Sequence, residues 1–447
     1  MIKDFFLKFL IIYFIFYNNI KFNYYNLELN KKYIKYQKGL NLIFPNKIKT
    51  KIKIAIFTLC MKNGGRARVT SLLINELYKI KIFKIYLYTQ KYKENNEYQI
   101  PKNIKRLVIN NNNITKILKK RINILFFQLV SLKKTKILNS FKNIKVIYFI
   151  HYSAFHFIYS NYTFFKSFYQ ELNKYYYIIS LIPFENEYLF PKWRINSILM
   201  NNFITYNYNF TIPSNLSSKT ILMIGRGNDK AKRFEKGIQS MEYIIQVIND
   251  CRLNIISRLY ALNNLVNLIY NLNLENNINF EGFIENPEKL FNVACLHLFP
   301  TITESFGLVL SETKIYGIPN ILMGIDYISI AYNGTIIIYD DTPESLAKEA
   351  IKIILKNKYR EKLGKESRKN MIKFNNQLLI INWVKLILSV YNGDFYYKEF
   401  QKRNKKKISE KKWLLILNNQ IKLLKMRDKT FINITLNSFE NFVFRKN

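Results

Sequence analysis

The chain has 447 residues, 49% of them hydrophobic, which is enough for more than one domain with a buried core and excludes a disordered polypeptide. Its 70 Lys and Arg residues outnumber 30 Asp and Glu residues, giving a formal net charge of +40. Such a charge usually indicates nucleic acid or an anionic membrane as a partner. Because the lysines are spread over the whole chain, nucleic acid is disfavoured as the main partner, and an anionic membrane surface remains open.

The amino-terminal segment, residues 1–48, is hydrophobic and basic. Its apolar run from Phe5 to Tyr17 is interrupted by Lys8 and is shorter than the roughly 20 residues of a membrane-spanning helix. No small-residue cleavage site follows it, which disfavours a removable signal peptide. A membrane anchor and a simple apolar helix both remain open. The cysteines are few and far apart and form no zinc or disulfide pattern, so we expect a cytoplasmic location, with or without membrane attachment.

Short hydrophobic runs in the first half of the chain predict buried β-strands. Each run is rich in β-branched or aromatic residues, and helix-length segments separate the runs, a pattern typical of a parallel sheet wound by helices. The runs are residues 51–59, 84–89, 122–128, 145–151 and 175–181. They predict a first α/β domain over residues 49–212.

The same pattern restarts after a polar segment. The residues that follow Asn207 are rich in Ser, Thr, Asn and Pro, which is typical of a linker. The next hydrophobic runs are residues 220–226, 252–257, 278–284, 295–300, 320–324 and 334–340. They predict a second α/β domain over residues 213–392. The expected fold is therefore two doubly wound, Rossmann-like domains, with the cleft between them as the favoured place for a ligand.

The end of the chain, residues 393–447, is a basic amphipathic tail. Within it, Phe400 to Met426 joins a lysine-rich block to a stretch with the apolar spacing of a helix. Two interpretations remain open, a solvated tail and an attachment to a membrane surface.

One stretch in each predicted domain suits a phosphate group. Gly64 and Gly65 lie between a strand and a helix, where the backbone can approach a ligand and the helix N-terminus offers free N–H groups. In the second domain, Arg226 follows a strand directly and Lys232 comes soon after. A guanidinium and an ammonium at the carboxyl end of a strand suit a diphosphate. Ordinary turn glycines and solvated loop charges are the competing interpretations.

A third stretch, TITESFGLVLSETKIYG, carries Glu304 and Glu312 after another strand. The pattern predicts a helix from about Phe306 to Tyr316, ended by Gly317. If the backbone were helical throughout, the two carboxylates would lie on the order of 12 Å apart. That exceeds the roughly 5 to 9.5 Å between the paired carboxylates of a glycosidase. The two acids are therefore expected to serve different parts of one extended ligand.

In this order, the three stretches resemble the retaining nucleotide-sugar glycosyltransferases of family four, the glycosyl transferases group 1 set with the GT-B fold. GGRARVTSLL resembles the family's glycine loop, IGR with Lys232 resembles its diphosphate-binding arginine and lysine, and ESFGLVLSE matches its E-x7-E signature. The resemblance covers Lys51 to Leu388. It implies a GT-B fold in which the first domain faces the acceptor and the second binds the nucleotide sugar.

The resemblance also implies roles for single residues. Arg226 and Lys232 would bind the diphosphate and stabilise its departure, Glu304 would contact the transferred sugar, and Glu312 would hold the ribose hydroxyls. Gly64 and Gly65 would approach the substrate. Backbone N–H groups facing sugar or phosphate would come from Ser305, Phe306 and Gly307. The expected catalytic residues are Glu304, Lys232 and His151, the last facing the sugar across the cleft, whereas His156 and His297 are expected to be structural.

The chain departs from the family pattern at two of these stretches. Arg66 and Ala67 stand where many members have Ala-Glu, and Arg233 replaces the usual glycine after the lysine. The contacts of these two loops are therefore expected to differ from those of the family.

The implied reaction moves a hexose-type sugar from a nucleotide-diphosphate sugar to a glycan, lipid or protein-linked acceptor, with retention of configuration. The sequence has no D-x-D triad to hold a metal–diphosphate complex, so Arg226 and Lys232 would act in place of a metal, and no cofactor is expected. Three alternatives remain open. They are a GT-B phosphorylase, a nucleotide-sugar 2-epimerase, and a basic membrane- or nucleic-acid-binding protein with this fold and no catalysis.

Overall fold

A computed structural model describes residues 51–62, 64–109, 120–128, 144–156, 171–227, 229–257, 263–393 and 409–427. The apolar run from Phe5 to Tyr17, with its two interpretations, lies outside these residues, as do residues 394–408 and 428–447 of the predicted tail. Among the residues described, no helix combines the length and the apolar character needed to cross a membrane.

The first half of the described chain forms a seven-stranded parallel sheet. Its strands are β1 (Ile52–Thr58), β2 (Phe83–Thr89), β3 (Lys105–Val108), β4 (Ile124–Phe127), β5 (Lys145–Phe149), β6 (Tyr177–Ser180) and β7 (Ser197–Leu199). Their order in the sheet is β3-β2-β1-β4-β5-β6-β7. The central strand β4 is buried on both faces, as the continuous apolar run in its sequence predicts.

The second half forms a six-stranded parallel sheet. Its strands are β8 (Thr220–Ile224), β9 (Arg252–Ile256), β10 (Ile278–Gly282), β11 (Leu296–Phe299), β12 (Asn320–Met323) and β13 (Thr335–Ile338). The order β10-β9-β8-β11-β12-β13 places the carboxyl ends of β8 and β11 side by side. The two sheets confirm the predicted α/β class and the pair of Rossmann-like folds.

Every hydrophobic run of the sequence became a strand, but two strands carry no such run. β3 and β7 are the outermost strands of the first sheet. β3 has no buried residue and β7 has one, so neither needs the continuous apolar sequence of a central strand. Their hydrogen bonds to a formed neighbour, and not their own composition, decide their structure.

Helices cover the sheets. They are α1 (Gly64–Tyr78), α2 (Phe190–Lys192), α3 (Phe234–Val247), α4 (Asn263–Asn271), α5 (Glu288–Val293), α6 (Leu308–Ile315), α7 (Pro343–Leu355), α8 (Asn357–Asn370), α9 (Asn376–Asn392) and α10 (Glu410–Arg427). Their sequences carry ordinary end signals. At α7, for example, Thr342 accepts a hydrogen bond from the amide of Ser345 at 3.2 Å, and Pro343 occupies the first turn.

Helix α9 joins the two sheets. It follows the second sheet in the chain, yet its Trp383 is 1% exposed and packs against Phe126 and Phe149 of the first sheet at 5.8 and 5.7 Å between ring centroids. The Asn376 side chain makes two hydrogen bonds of 2.9 Å with the backbone of Ile204. The sequence places this helix in the second domain, whereas its packing surface lies on the first sheet.

Helix α10 is the described part of the basic tail. Its apolar face is buried: Trp413 packs on Phe184 at 5.6 Å between ring centroids, and Leu417 is fully buried. Leu423 lies against Gly324, where an added Cβ would meet its Cδ1 at 2.0 Å. The apolar face of α10, which suggested attachment to a membrane surface, therefore packs against Phe184 and against the loop after β12.

Candidate functional site

The loop after β8 presents the predicted cationic residues. Arg226 is 66% exposed and pairs with Asp229, whose Oδ2 lies 2.6 Å from the guanidinium. The other oxygen of Asp229 accepts the amide of Ala231 at 3.1 Å, which shapes a short 3₁₀ turn over Lys230–Lys232. Arg226 therefore stands at the mouth of the site, and the turn carries Lys232 inward.

Lys232 and Glu304 meet at the carboxyl ends of adjacent strands. The ammonium of Lys232 lies 3.0 Å from Oε2 of Glu304, and each side chain is 19% exposed. The turn that carries the lysine is tied to the loop that carries the glutamate, because Ile302 and Thr301 both hydrogen-bond the carbonyl of Ala231, at 2.8 and 2.9 Å. The two loops that the sequence singled out separately thus form one site.

Arg233, the residue that replaces the family's glycine, has a role of its own. Its φ of 52° and ψ of 48° lie in the left-handed region, where glycine fits without strain. The guanidinium makes a bidentate ion pair with Asp341, with Nη2 2.9 Å from Oδ2, and both side chains are buried. The arginine therefore keeps the glycine-like backbone and fastens the end of the Lys232 turn to the loop after β13.

Glu304 precedes helix α6, which begins only at Leu308. The predicted start near Phe306 was wrong, because Gly307, with a φ of 82°, turns the chain into the helix. The backbone N–H of Glu304 donates to the hydroxyl of Tyr327 at 3.1 Å, and that of Ser305 donates to Oε1 of Glu304 at 3.0 Å. The carboxylate is thus fixed on one oxygen by its own loop and on the other by Lys232.

Phe306 and Gly307 mainly fix the path of this loop. Phe306 is buried and packs edge-on against Phe374, with ring centroids 5.8 Å apart. A Cβ at Gly307 would stand 3.3 Å from Cβ of Leu310 and 3.5 Å from Cγ of Glu304. The expectation that the amides of residues 305–307 face a substrate stays a prediction, except that the Ser305 amide already has an acceptor in Glu304.

Glu312 lies in α6 in different surroundings. It is 3% exposed, and its Oε1 accepts a hydrogen bond from Thr205 at 3.0 Å and forms an ion pair with Arg68 of helix α1. Burial raises the pKa of this carboxyl, while Arg68 and Thr205 act to lower it. The residue expected at the ribose is therefore held partly by the first sheet's own helix, through Arg68.

The glycine stretch forms the start of α1. Gly64 has a φ of 82°, and an added Cβ at Gly64 or Gly65 would have nothing within 4 Å, so the space beside both glycines is open. Arg66 reaches the carbonyl of Gln128, at the end of β4, over 3.4 Å. Nothing in these contacts decides whether the glycines approach a phosphate, and that assignment stays a prediction.

The three histidines lie in different surroundings, and the catalytic role expected of His151 stays a prediction. His151 packs on Phe149 at 4.3 Å between ring centroids, its Nε2 has no hydrogen-bond partner among the described residues, and burial with the nearby Arg66 lowers its pKa to about 3. His156, expected to be structural, places Nδ1 3.3 Å from the hydroxyl of Thr303. His297 is buried against Asn320, as expected, with Nδ1 2.7 Å from Oδ1 of that residue.

His156 lies in the electrostatic field of the Lys232–Glu304 pair. Burial lowers its pKa most, Asp229 and Glu304 raise it, and Arg226 and Lys232 lower it further. The turn that holds it is anchored by buried Glu185, which accepts the amide of Ala154 at 2.5 Å. His156 is thus the histidine of the first sheet that faces the cationic loop.

Sequence reasoning missed four residues that complete this arrangement: Arg68, His156, Thr205 and Tyr327. Arg68 had one usable signal, since it lies one helical turn beyond Gly64, at the same end of α1. Tyr327 and Thr205 belong to irregular segments, where sequence spacing carries no information about which atoms meet.

Two comparisons with known proteins bear on this site. A family model described as glycosyl transferases group 1 matches residues 207–370, which include Arg226, Lys232, Glu304 and Glu312. No curated protein shows significant sequence similarity to the chain.

Solved structures extend the likeness to most of the molecule. A sucrose-phosphate synthase from Thermosynechococcus elongatus is 16% identical, with a TM-score of 0.64 over 77% of this chain and 100% of its own. Alr3699/HepE from Anabaena, in complex with UDP and glucose, is 14% identical, with a TM-score of 0.61 over 76% of this chain and 100% of its own. A TarM variant from S. aureus is 14% identical, with a TM-score of 0.60 over 76% and 99%. The chain therefore has the GT-B fold.

Proposed function

We propose that the protein is a retaining glycosyltransferase that moves a hexose-type sugar from a nucleoside-diphosphate sugar to an acceptor hydroxyl without a metal ion. The observation that supports this most is the pair of Lys232 and Glu304, 3.0 Å apart at the carboxyl ends of β8 and β11 within the group 1 domain. Its structural neighbours include one solved with UDP-glucose and one with UDP, α-GlcNAc-glycerol and a glycan analogue. UDP is therefore the first nucleotide to test.

In the proposed reaction, the acceptor oxygen bonds to the anomeric carbon on the face from which the diphosphate leaves. The bond between that carbon and the phosphate oxygen breaks, and the acceptor proton passes to the departing phosphate. Lys232 and Arg226 stabilise the negative charge that grows on the diphosphate. Glu304 orients the sugar hydroxyls, and Glu312 accepts hydrogen bonds from the ribose at the other end of the donor.

A histidine completes the sugar side of the proposed site. His151 has a buried Nε2 that no residue in the described ranges hydrogen-bonds, and His156 lies beside Thr303 and within the field of Lys232 and Glu304. We assign the contact with the donor to His156, because its charged neighbours are those of the diphosphate loop. His151 then supports the wall of the cleft beside Arg66.

A donor screen tests the proposal. UDP-, ADP- and GDP-linked hexoses are compared by the rise in melting temperature that each produces, since a ligand that binds only the native state stabilises it. The donors that bind are then incubated with glycan, lipid and peptide acceptors in the presence of EDTA, and the anomeric configuration of any product is determined. Stabilisation by one donor class, with transfer that survives EDTA, is the expected result. Binding of none of the donors would refute it.

The same screen separates the remaining alternatives. A 2-epimerase converts its donor without any acceptor, so a new nucleotide sugar formed from donor alone would favour that enzyme. A phosphorylase would carry pyridoxal phosphate on a lysine, and the absorbance band of that cofactor would reveal it. A basic binding protein without catalysis would bind RNA with a steep salt dependence and would not be stabilised by nucleotide sugars.

A further inference from the structure

The ion pair between Arg68 and Glu312 connects a helix beside the first sheet with a helix beside the second. Arg68 belongs to α1, beside the first sheet, whereas Glu312 belongs to α6, beside the second. Thr205, in the segment that leads from one sheet to the other, donates to the same carboxylate oxygen at 3.0 Å. One carboxylate of α6 is thus held by two other parts of the chain.

The burial of this pair is uneven. The Glu312 side chain is 3% exposed and that of Arg68 is 24% exposed. A buried carboxylate is costly unless a cation and hydrogen bonds compensate its charge, and removing the partner leaves that cost uncompensated. Arg68 is the only cation within the described residues that forms an ion pair with Glu312. The carboxylate therefore depends on a side chain from the other half of the molecule.

The second oxygen of Glu312 has no such contact. Both interactions use Oε1, and no hydrogen bond to Oε2 exists among the residues that the structure describes. A carboxylate oxygen can accept two hydrogen bonds. Oε2 therefore keeps its capacity to accept a hydrogen bond while Arg68 and Thr205 stay in place, so the ion pair does not use the whole carboxylate.

We propose that Arg68 is a positioning residue of the nucleotide site: supplied by the acceptor-side half of the molecule, it holds the Glu312 carboxylate in place for the ribose hydroxyls. This rests on the proposed function, in which Glu312 binds the ribose. It follows that the donor site is complete only while both halves are together. The planar guanidinium suits this role better than an ammonium, since it can pair with a carboxylate and keep further N–H groups for other partners.

Electrostatics supports the same role. Burial raises the pKa of Glu312, and Arg68 is the largest influence that opposes the rise. Without Arg68 the carboxyl would hold its proton to a higher pH and would offer fewer acceptor sites to the ribose. The loss of Arg68 should therefore weaken ribose recognition most at low pH and least at high pH.

The experiment measures how strongly the protein prefers UDP to 2′,3′-dideoxy-UDP, by calorimetry at pH 6 to 9, with the ADP and GDP pairs run alongside. The full chain is compared with Arg68→Ala, Arg68→Lys, Glu312→Gln and the double variant Arg68→Ala/Glu312→Gln. The matched control is Arg106→Ala. Arg106 forms an ion pair with buried Glu97 in the same half of the molecule, and its other contacts lie with Thr89 and Lys91, outside the site.

We expect the wild type to prefer UDP by roughly 10- to 100-fold, the effect of hydrogen bonds to a charged group. Arg68→Ala should reduce this preference to less than about 3-fold at pH 6 and regain part of it at pH 9, and Arg68→Lys should retain part of it throughout. At pH 6, Glu312→Gln should match Arg68→Ala, and the double variant should lose no more than either. At pH 9, only Arg68→Ala should regain preference, because glutamine does not ionise. Arg106→Ala should keep the wild-type preference.

Two failures have different meanings. If the wild type prefers UDP and Arg68→Ala keeps the same preference at every pH, Arg68 does not position Glu312 and the proposal is wrong, while the assignment of Glu312 stands. If the wild type shows no preference, or binds none of the three nucleotides, the ribose role of Glu312 is itself refuted. Should Arg68→Ala not fold, Arg68→Lys and Glu312→Gln make the same comparison.

Discussion

Glu304 and Glu312 belong to one motif, yet different parts of the molecule hold them. Glu304 lies in a loop, is 19% exposed, and pairs with Lys232 of the same sheet's loops. Glu312 lies in a helix, is 3% exposed, and pairs with Arg68 from the helix beside the other sheet. In the proposed site, the charged pair at the end of the donor where bonds change therefore comes from one half of the chain, whereas the charged pair at the nucleotide end comes from both.

Because of this difference, substitutions at the two pairs should change different properties of the protein. The pair of Lys232 and Glu304 keeps both side chains partly open to solvent, so a substrate can reach them and replace one partner by another. The pair of Arg68 and Glu312 is closed at its carboxylate, which is 3% exposed although Arg68 is 24% exposed, so changes there should affect stability and binding before they affect the reaction. Substitutions at each pair test this difference.

The largest effect is expected on transfer at the open pair. Lys232→Ala and Glu304→Gln should each lower kcat by on the order of 10²- to 10³-fold, the usual cost of removing one charge-stabilising group. The double variant should be less impaired than the product of the two effects, because both residues act in one arrangement. Turnover is measured with the donor found in the screen.

The control for this prediction is Lys230→Ala. Lys230 lies in the same 3₁₀ turn and is exposed, so its loss should leave kcat nearly unchanged. Circular dichroism should show all the variants folded. If either Lys232→Ala or Glu304→Gln turns over at the wild-type rate, the assignment of this pair as the reacting end is refuted.

The next effect is on stability at the closed pair. Arg68→Ala should lower the free energy of unfolding by about 1–3 kcal/mol, which is below the cost of breaking a fully buried pair because Arg68 is partly exposed. Lys232→Ala should cost about 0–1 kcal/mol. Urea unfolding followed by tryptophan fluorescence measures both. Equal losses would remove the contrast between the pairs.

The same variant has a pH dependence of known sign. Burial holds the pKa of Glu312 above its ordinary value of 4.5, so ionisation of this group opposes folding as the pH rises. Without Arg68 the pKa should rise further. The stability gap between Arg68→Ala and the wild type should therefore widen as the pH increases from about 4.5, and Arg68→Ala/Glu312→Gln should close it at high pH.

The sequence predicted the sheets well and the contacts between the halves poorly. Central strands such as β4 and β11 are buried on both faces, so their apolar runs are visible without knowing their neighbours. The motif residues Lys232 and Glu304 follow such strands, and the order of strands in a wound sheet brings their loops together. Their proximity was therefore predictable from local pattern and topology.

The ion pair of Arg68 and Glu312 had no equivalent signal. It depends on the angle between two sheets and on the crossing segment near Thr205, which no periodicity describes. The same holds for Tyr327, which meets the amide of Glu304 from an irregular loop after β12. The condition behind the spacing estimated for the two glutamates, a helix throughout, is not met, because the left-handed turn at Gly307 delays the start of α6 to Leu308.

A smaller effect is expected at Arg233, which steadies the turn of Lys232. Arg233→Ala should lower transfer by roughly 10-fold, because it removes the pair with Asp341 and still places a Cβ at a φ of 52°. Arg233→Gly, which loses the same pair without backbone strain, should be more stable than the alanine variant by about 1 kcal/mol. Kinetics and urea unfolding of the two variants are compared. If Arg233→Ala proves more stable than Arg233→Gly, the positive φ at this position does not strain the backbone.

The smallest effect distinguishes the two histidines of the first sheet. His156→Gln should lower kcat/KM by roughly 3- to 10-fold, since glutamine keeps one hydrogen-bonding group but not its placement beside Thr303. Burial lowers the pKa of His156, so the ring is neutral at pH 7 and the acid limb of its pH profile should lie below 6.5, its ordinary pKa. His151→Gln should cost stability, because it loses the packing on Phe149, but should change kcat/KM less. The reverse order of effects on kcat/KM would move the sugar contact to His151 and place the reacting end of the donor nearer Arg66, on the same side of the cleft as the closed pair.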